Sequence, residues 1–109
     1  PLALTRSLSD VEVARLHAAV QAVMTEWTDR LRLEAGAWPD KVTAFHPQMA
    51  VHGRYGQPCP DCGTPVQRNV YASNEANYCA RCQTGGRLLA DRALSRLLKD
   101  SWPKNVDEL

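Results

Sequence analysis

Two Cys-x2-Cys pairs constrain this chain more than any other feature. Cys59 and Cys62 lie in "PCPDCG", Cys79 and Cys82 lie in "YCARCQ", and the sixteen residues 63 to 78 separate the pairs. That spacing falls in the window of a four-thiolate zinc site. Two residues between thiolates let the backbone fold into a tight knuckle, so both sulfurs reach one side of a tetrahedral ion. Gly63 suits the left-handed turn such a knuckle needs, and Pro58 and Pro60 stiffen its approach. Sixteen residues are enough for a two-stranded hairpin that returns the second pair to the first. Four thiolates close the coordination sphere, so the expected Zn2+ is single and structural, with no open position for substrate. Iron or two disulfides are the alternatives. No secretory signal pattern opens the chain, which points to a reducing compartment, where paired Cys-x2-Cys units bind metal more often than they oxidise.

A chain of 109 residues is one small domain or two very small units, and a metal staple compensates for the limited core such a length can bury. The net charge of +1 is too small to demand an acidic partner. Its distribution is more informative: residues 51–100 carry 7 Lys/Arg against 4 Asp/Glu, whereas residues 1–50 carry 5 against 6. The positive excess surrounds and follows the cysteines, as a nucleic-acid footprint does. No apolar run approaches a membrane span. The opening "PLALTRSLSD", without Met, reads as the start of a fragment or trimmed chain.

Before the cysteines the pattern is helical. Ser9 and Glu12 have the spacing of a capping box with Leu8 at the staple position, and Val13, Leu16, Val20, Val23, Trp27 and Leu31 form one apolar stripe. Gly36 is the expected stop. The stripe has no complete partner within residues 1–36, so it is expected to pack on something outside this sequence. Pro39 and Pro47 punctuate the next segment, with room for a helical turn after Asp40. His46 and His52 lie near the cysteines but read as loop histidines, because four thiols already satisfy the metal. Strands are expected in "TPVQRNVYAS" and "NEANYC" around a polar turn at Ser73–Asn74–Glu75. After "TGG", "RLLADRALSRLLKD" reads as an amphipathic helix ended by Pro103, and Asn105 with Glu108 caps a last turn.

The stretch His52-Gly53-Arg54-Tyr55-Gly56-Gln57-Pro58-Cys59, then Cys62-Gly63-Thr64-Pro65-Val66, then Asn77-Tyr78-Cys79-x2-Cys82-Gln83, resembles the C-terminal end of the formamidopyrimidine-DNA glycosylase/endonuclease VIII family. Residues 1–50 resemble, more loosely, the last helices of that family's helix–two-turn–helix domain. The resemblance implies a zinc hairpin pressed on the DNA backbone, and a parent whose N-terminal catalytic domain opens with a Pro-Glu pair. Pro1 is followed by "LALTRS", so Pro1 is not read as that nucleophile, and no catalytic residue is assigned. The family's hairpin carries an Arg near its tip, about five residues before the third Cys; Asn74 stands there in this chain, beside Glu75. Arg68 on the preceding strand is the best substitute donor, and no acidic partner is evident for it or for Arg54. The C-terminal 26 residues run on where many members stop.

The sequence therefore reads as a small α+β chain: a helical segment (1–50), a four-cysteine zinc-ribbon hairpin (51–83) and a C-terminal helical extension (84–109). The expected role is the DNA-binding C-terminal part of a base-excision-repair glycosylase/AP lyase. Its partner is damaged double-stranded DNA, met by Arg54, Arg68, Asn74, Arg81 and Arg87. The missing N-terminal catalytic domain is expected to pack on the 9–35 helix, and the location is cytoplasmic, at the nucleoid. A free-standing zinc ribbon that binds protein or RNA is the alternative; a redox thiol protein is opposed by the closed coordination.

Overall fold

The structure is a computed structural model that describes residues 3–109, with the side chain of Arg92 excepted. Pro1 lies outside the described residues. The chain divides between Ala44 and Phe45 into two units.

The first unit is dominated by one helix, α1 (Asp10–Ala35). Its start is fixed by the reciprocal capping box expected from the sequence: Ser9 Oγ accepts from the Glu12 N–H, and Glu12 Oε2 accepts from the Ser9 N–H at 2.8 Å. Those bonds to Ser9 also hold the Glu12 carboxyl below its ordinary value of 4.5. Gly36 caps the other end. No residue of α1 is buried; Val13, Leu16, Val20, Val23 and Leu31 are each about half exposed. The helical turn expected after Asp40 does not form. A lone turn fixes three residues for one hydrogen bond, and Val42 and Thr43 are poor residues for that trade.

The second unit is built around an antiparallel hairpin, β1 (Gln67–Tyr71) and β2 (Asn74–Tyr78). Tyr71 pairs Asn74, so the loop is only Ala72–Ser73, with Ala72 at φ 52°. The polar turn expected at Ser73–Asn74–Glu75 is thus placed one residue too late, and Asn74 and Glu75 are strand residues. Short helices follow, α2 (Ala80–Thr84) and α3 (Arg92–Leu98).

The extension differs most from expectation. Residues 87–91 are not helical. Leu88 instead enters a small core with Tyr78, Ala80 and Val106, flanked by Leu89. The segment is held as a strand would be: the Leu88 N–H donates to Lys104 O at 2.9 Å, and the Val106 N–H donates to Gly86 O at 2.8 Å. Two hairpin side chains then grip the Leu89 backbone. Tyr78 Oη accepts its N–H at 2.8 Å, and the buried amide of Asn69, turned with its nitrogen toward Leu89, donates to its carbonyl. Burying Leu88 against Tyr78 outweighs helix propensity here, so α3 starts only after Asp91, whose carboxylate accepts from the Leu94 N–H. The final turn forms much as the sequence implies, with Asn105 Oδ1 accepting from the Asp107 N–H.

Candidate metal centre and nucleic-acid interface

The metal centre grows out of two unlike turns. In the first, Gly63 at φ 74° lets its N–H return to Cys59 O at 2.8 Å, and the Cys59 N–H donates to Thr64 O at 2.9 Å. In the second, Cys79 caps α2, whose first turn brings Cys82 back toward it. Gln83 closes that turn twice: its side-chain oxygen accepts from the Cys79 N–H at 2.8 Å, and its own N–H donates to Cys79 O at 2.9 Å. That helical second knuckle was not anticipated; its sequence signal is the absence of the Gly and Pro that frame the first. The hairpin joins the two turns, and Arg81 ties them, its Nε donating to Thr64 Oγ1 at 3.2 Å.

All four sulfurs lie within 4.8 Å of one another, and Cys62 Sγ is 3.4 Å from Cys79 Sγ. Zinc–sulfur bonds of ~2.3 Å in a tetrahedron place sulfurs about 3.8 Å apart, so the cluster fits that ion. The close sulfurs also perturb one another's protonation. Hydrogen bonds from Thr64 bring the Cys62 thiol down to about 6, whereas the neighbouring sulfurs of Cys62 and Cys79 push Cys82 up to about 12. Burial pushes Cys79 up as well. Four thiolates become compatible at this spacing only around a divalent ion. Cys59 and Cys79 are buried while Cys62 and Cys82 face solvent. His52 stacks on Phe45 with centroids 5.0 Å apart, and His46 Nδ1 accepts from the Gln48 N–H; neither belongs to the cluster.

The five residues expected to meet DNA have different fates. Arg54 is partly buried and donates to Pro47 O at 3.1 Å and Met49 O at 3.5 Å, which ties the 46–49 loop to the first knuckle. Arg81 carries an ion pair to Asp107 in addition to its bond to Thr64. Arg68 has the acidic partner that the sequence did not reveal: its Nη1 lies 3.4 Å from Glu75 Oε2, with the guanidinium 4.3 Å above the Tyr55 ring. One-residue misplacement of the turn had hidden that contact, since Glu75 is close to Arg68 only when both are on paired strands. Asn74 and Arg87 are exposed, and neither side chain has a hydrogen-bond or ion-pair partner among the described residues. Two further residues were missed. Tyr55 is the shelf under Arg68, and Asn77 lies opposite Arg68 in the ladder. Asn77 Oδ1 accepts from the Gly53 N–H at 2.8 Å while its Nδ2 donates to Glu75 Oε1 at 2.8 Å.

Two thiol-bearing turns clamped on a hairpin define a zinc finger, and Cys59, Cys62, Cys79 and Cys82 hold one structural zinc. The family described as "Zinc finger found in FPG and IleRS" matches residues 56–85. A formamidopyrimidine-DNA glycosylase-like protein of Mycobacterium tuberculosis is 38% identical over 100 residues, covering 91% of this chain and 61% of that protein. The formamidopyrimidine-DNA glycosylase of Thermus thermophilus is 36% identical over 91 residues, 79% of this chain and 34% of that enzyme. The crystal structure of the MutM (Fpg) protein from the same organism superimposes with a TM-score of 0.52 at 36% identity, covering 72% of this chain and 32% of that one. The finger match, the glycosylase relatives and the MutM structure together support a C-terminal, zinc-finger-bearing fragment similar to that of formamidopyrimidine-DNA glycosylases. It spans about three-fifths of the Mycobacterium relative and a third of the Thermus enzyme.

Proposed function

We propose that this chain is the DNA-binding C-terminal part of a base-excision-repair glycosylase/AP lyase, its finger resting on the backbone of a damaged duplex. The observation that carries the reading is the hairpin itself, a metal-closed scaffold in the region shared with named glycosylases, with a guanidinium standing on its solvent side. A closed four-thiolate site leaves the zinc no reaction to perform, so it positions rather than catalyses. Arg68, Asn74 and Arg87 offer exposed donors to phosphates, while Arg54 and Arg81 brace the loops that present them. The half-exposed stripe of α1 is the surface on which an N-terminal catalytic domain packs. Work at the nucleoid in the cytoplasm follows from such a role. Among the described residues no helix is long and apolar enough to cross a membrane.

Fluorescence anisotropy with labelled oligonucleotides tests the reading. The zinc-loaded chain should bind a duplex carrying an abasic-site analogue, with a log–log salt slope of roughly −0.9 for each phosphate neutralised. Tighter binding to single-stranded RNA, or none to the duplex at low salt, would replace it with the RNA- or protein-binding ribbon.

A further inference from the structure

The solvent face of the hairpin holds a small convergent group around one carboxylate. Arg68 and Asn77 are directly opposite across the strands, and Glu75 is two residues from Asn77 on the same face. Glu75 uses both oxygens: Oε2 receives Arg68 Nη1 at 3.4 Å, and Oε1 receives Asn77 Nδ2 at 2.8 Å. The other contacts of these donors fix how they point. Asn77 is oriented by the Gly53 N–H on its Oδ1, which leaves its amide hydrogens aimed at Glu75. Arg68 is held flat by the Tyr55 ring, 4.3 Å from its guanidinium carbon. Two pre-set donors converging on one oxyanion make an anion site, and a side chain of the hairpin already fills it.

We propose that Glu75 is a resident mimic of a backbone phosphate: it occupies the Arg68–Asn77 anion site in the free protein and must swing out when a phosphodiester enters. This rests on the duplex-binding reading above and adds a gate to it. A carboxylate and a phosphate both present two oxygens to a guanidinium and an amide, so the same donors serve either. Exchange is feasible because the pair is open to water, with Arg68 and Glu75 side chains 47% and 38% exposed. The device weakens binding at every sequence alike, since a phosphate carries no base identity. It also reduces the salt dependence, because Arg68 meets the duplex already neutralised.

Three variants of the zinc-loaded chain test the gate by duplex anisotropy. Glu75→Gln keeps the side chain's shape and removes its charge. It should tighten duplex binding by about two- to fivefold, the range of an exposed ion pair. The salt slope should steepen by up to about 0.9 as Arg68 becomes a full counterion-releasing contact. Asp100→Asn removes the same charge elsewhere in the unit and should do less. In an Arg68→Ala background, Glu75→Gln should lose most of its effect, because the site it vacates has lost its cation. A Glu75→Gln gain that matches Asp100→Asn, or that persists undiminished with Arg68→Ala, would reduce the effect to net charge and overturn the gate. An arm without DNA separates the gate from the duplex reading. Inorganic pyrophosphate should shift the Arg68 Nε–H and Asn77 Nδ2–H NMR signals at lower concentration in Glu75→Gln than in wild type. Such shifts without any duplex affinity would uphold the anion site and remove the duplex reading; equal responses of the two proteins to pyrophosphate would remove the gate.

Discussion

Leu88→Ala bears on the part of the fold that departs furthest from the sequence pattern. Read as the start of an amphipathic helix, residue 88 would lie on a surface helix, and alanine, the best helix former, would be harmless there. In the structure Leu88 is 7% exposed and packs with Tyr78, Ala80 and Val106. Truncating a buried leucine costs about 2–5 kcal/mol, and a site this near the surface can relax, so the low end, ~2–3 kcal/mol, applies. For a domain of this size each kcal/mol moves Tm by roughly 4–8 °C, giving a fall of about 10–20 °C. Thermal unfolding of the zinc-saturated protein, followed by near-ultraviolet circular dichroism at the tyrosines and tryptophans, reads it. Amide exchange adds the location: the Leu88 and Val106 N–H groups, bonded to Lys104 O and Gly86 O, should lose protection first. A Tm unchanged within about 2 °C, well below one kcal/mol on that scale, would refute the docked extension.

Four other outcomes follow from local features. Gly53→Ala should destabilise the second unit by about 1–3 kcal/mol in urea titration, because the backbone there is at φ 70° and a Cβ would stand 2.7 Å from Phe45 Cδ1. Ser9→Ala should lower α1 helicity, measured by far-ultraviolet circular dichroism, by removing a cap worth ~1 kcal/mol. The same cap gives α1 a pH dependence: the folded Glu12 value is depressed, so its contribution is complete above 4.5 and is lost as pH falls through the lower folded value. Cys62→Ser should abolish protection across β1 and β2 while leaving α1 amides unchanged, since zinc binding of ~10–16 kcal/mol in finger peptides exceeds the whole net stability of such a unit.

The metal centre was legible in the sequence because thiol spacing is a local, chemically exclusive signal, and Cys59, Cys62, Cys79 and Cys82 need only a hairpin between them. The start of α1 was legible for a similar reason: Ser9 and Glu12 satisfy each other across one turn. What stayed hidden depends on register and on distant partners. Moving the turn by one residue decides whether Glu75 is a loop charge or the neighbour of Arg68. The extension reads as helical on periodicity alone, yet Leu88 and Leu89 are claimed by Tyr78, Asn69 and Val106, residues from ten to twenty positions away. The bonds of Arg81 to Thr64 and Asp107 likewise depend on partners 17 and 26 positions away.

X-ray absorption at the zinc edge of the purified chain, paired with elemental analysis, tests the central claim most directly. One zinc per chain should be found with four sulfur neighbours at ~2.3 Å and no lighter ligand. A nitrogen or oxygen atom in the first coordination sphere, or protein without zinc whose four cysteines titrate freely while the hairpin remains folded, would contradict the closed four-thiolate finger.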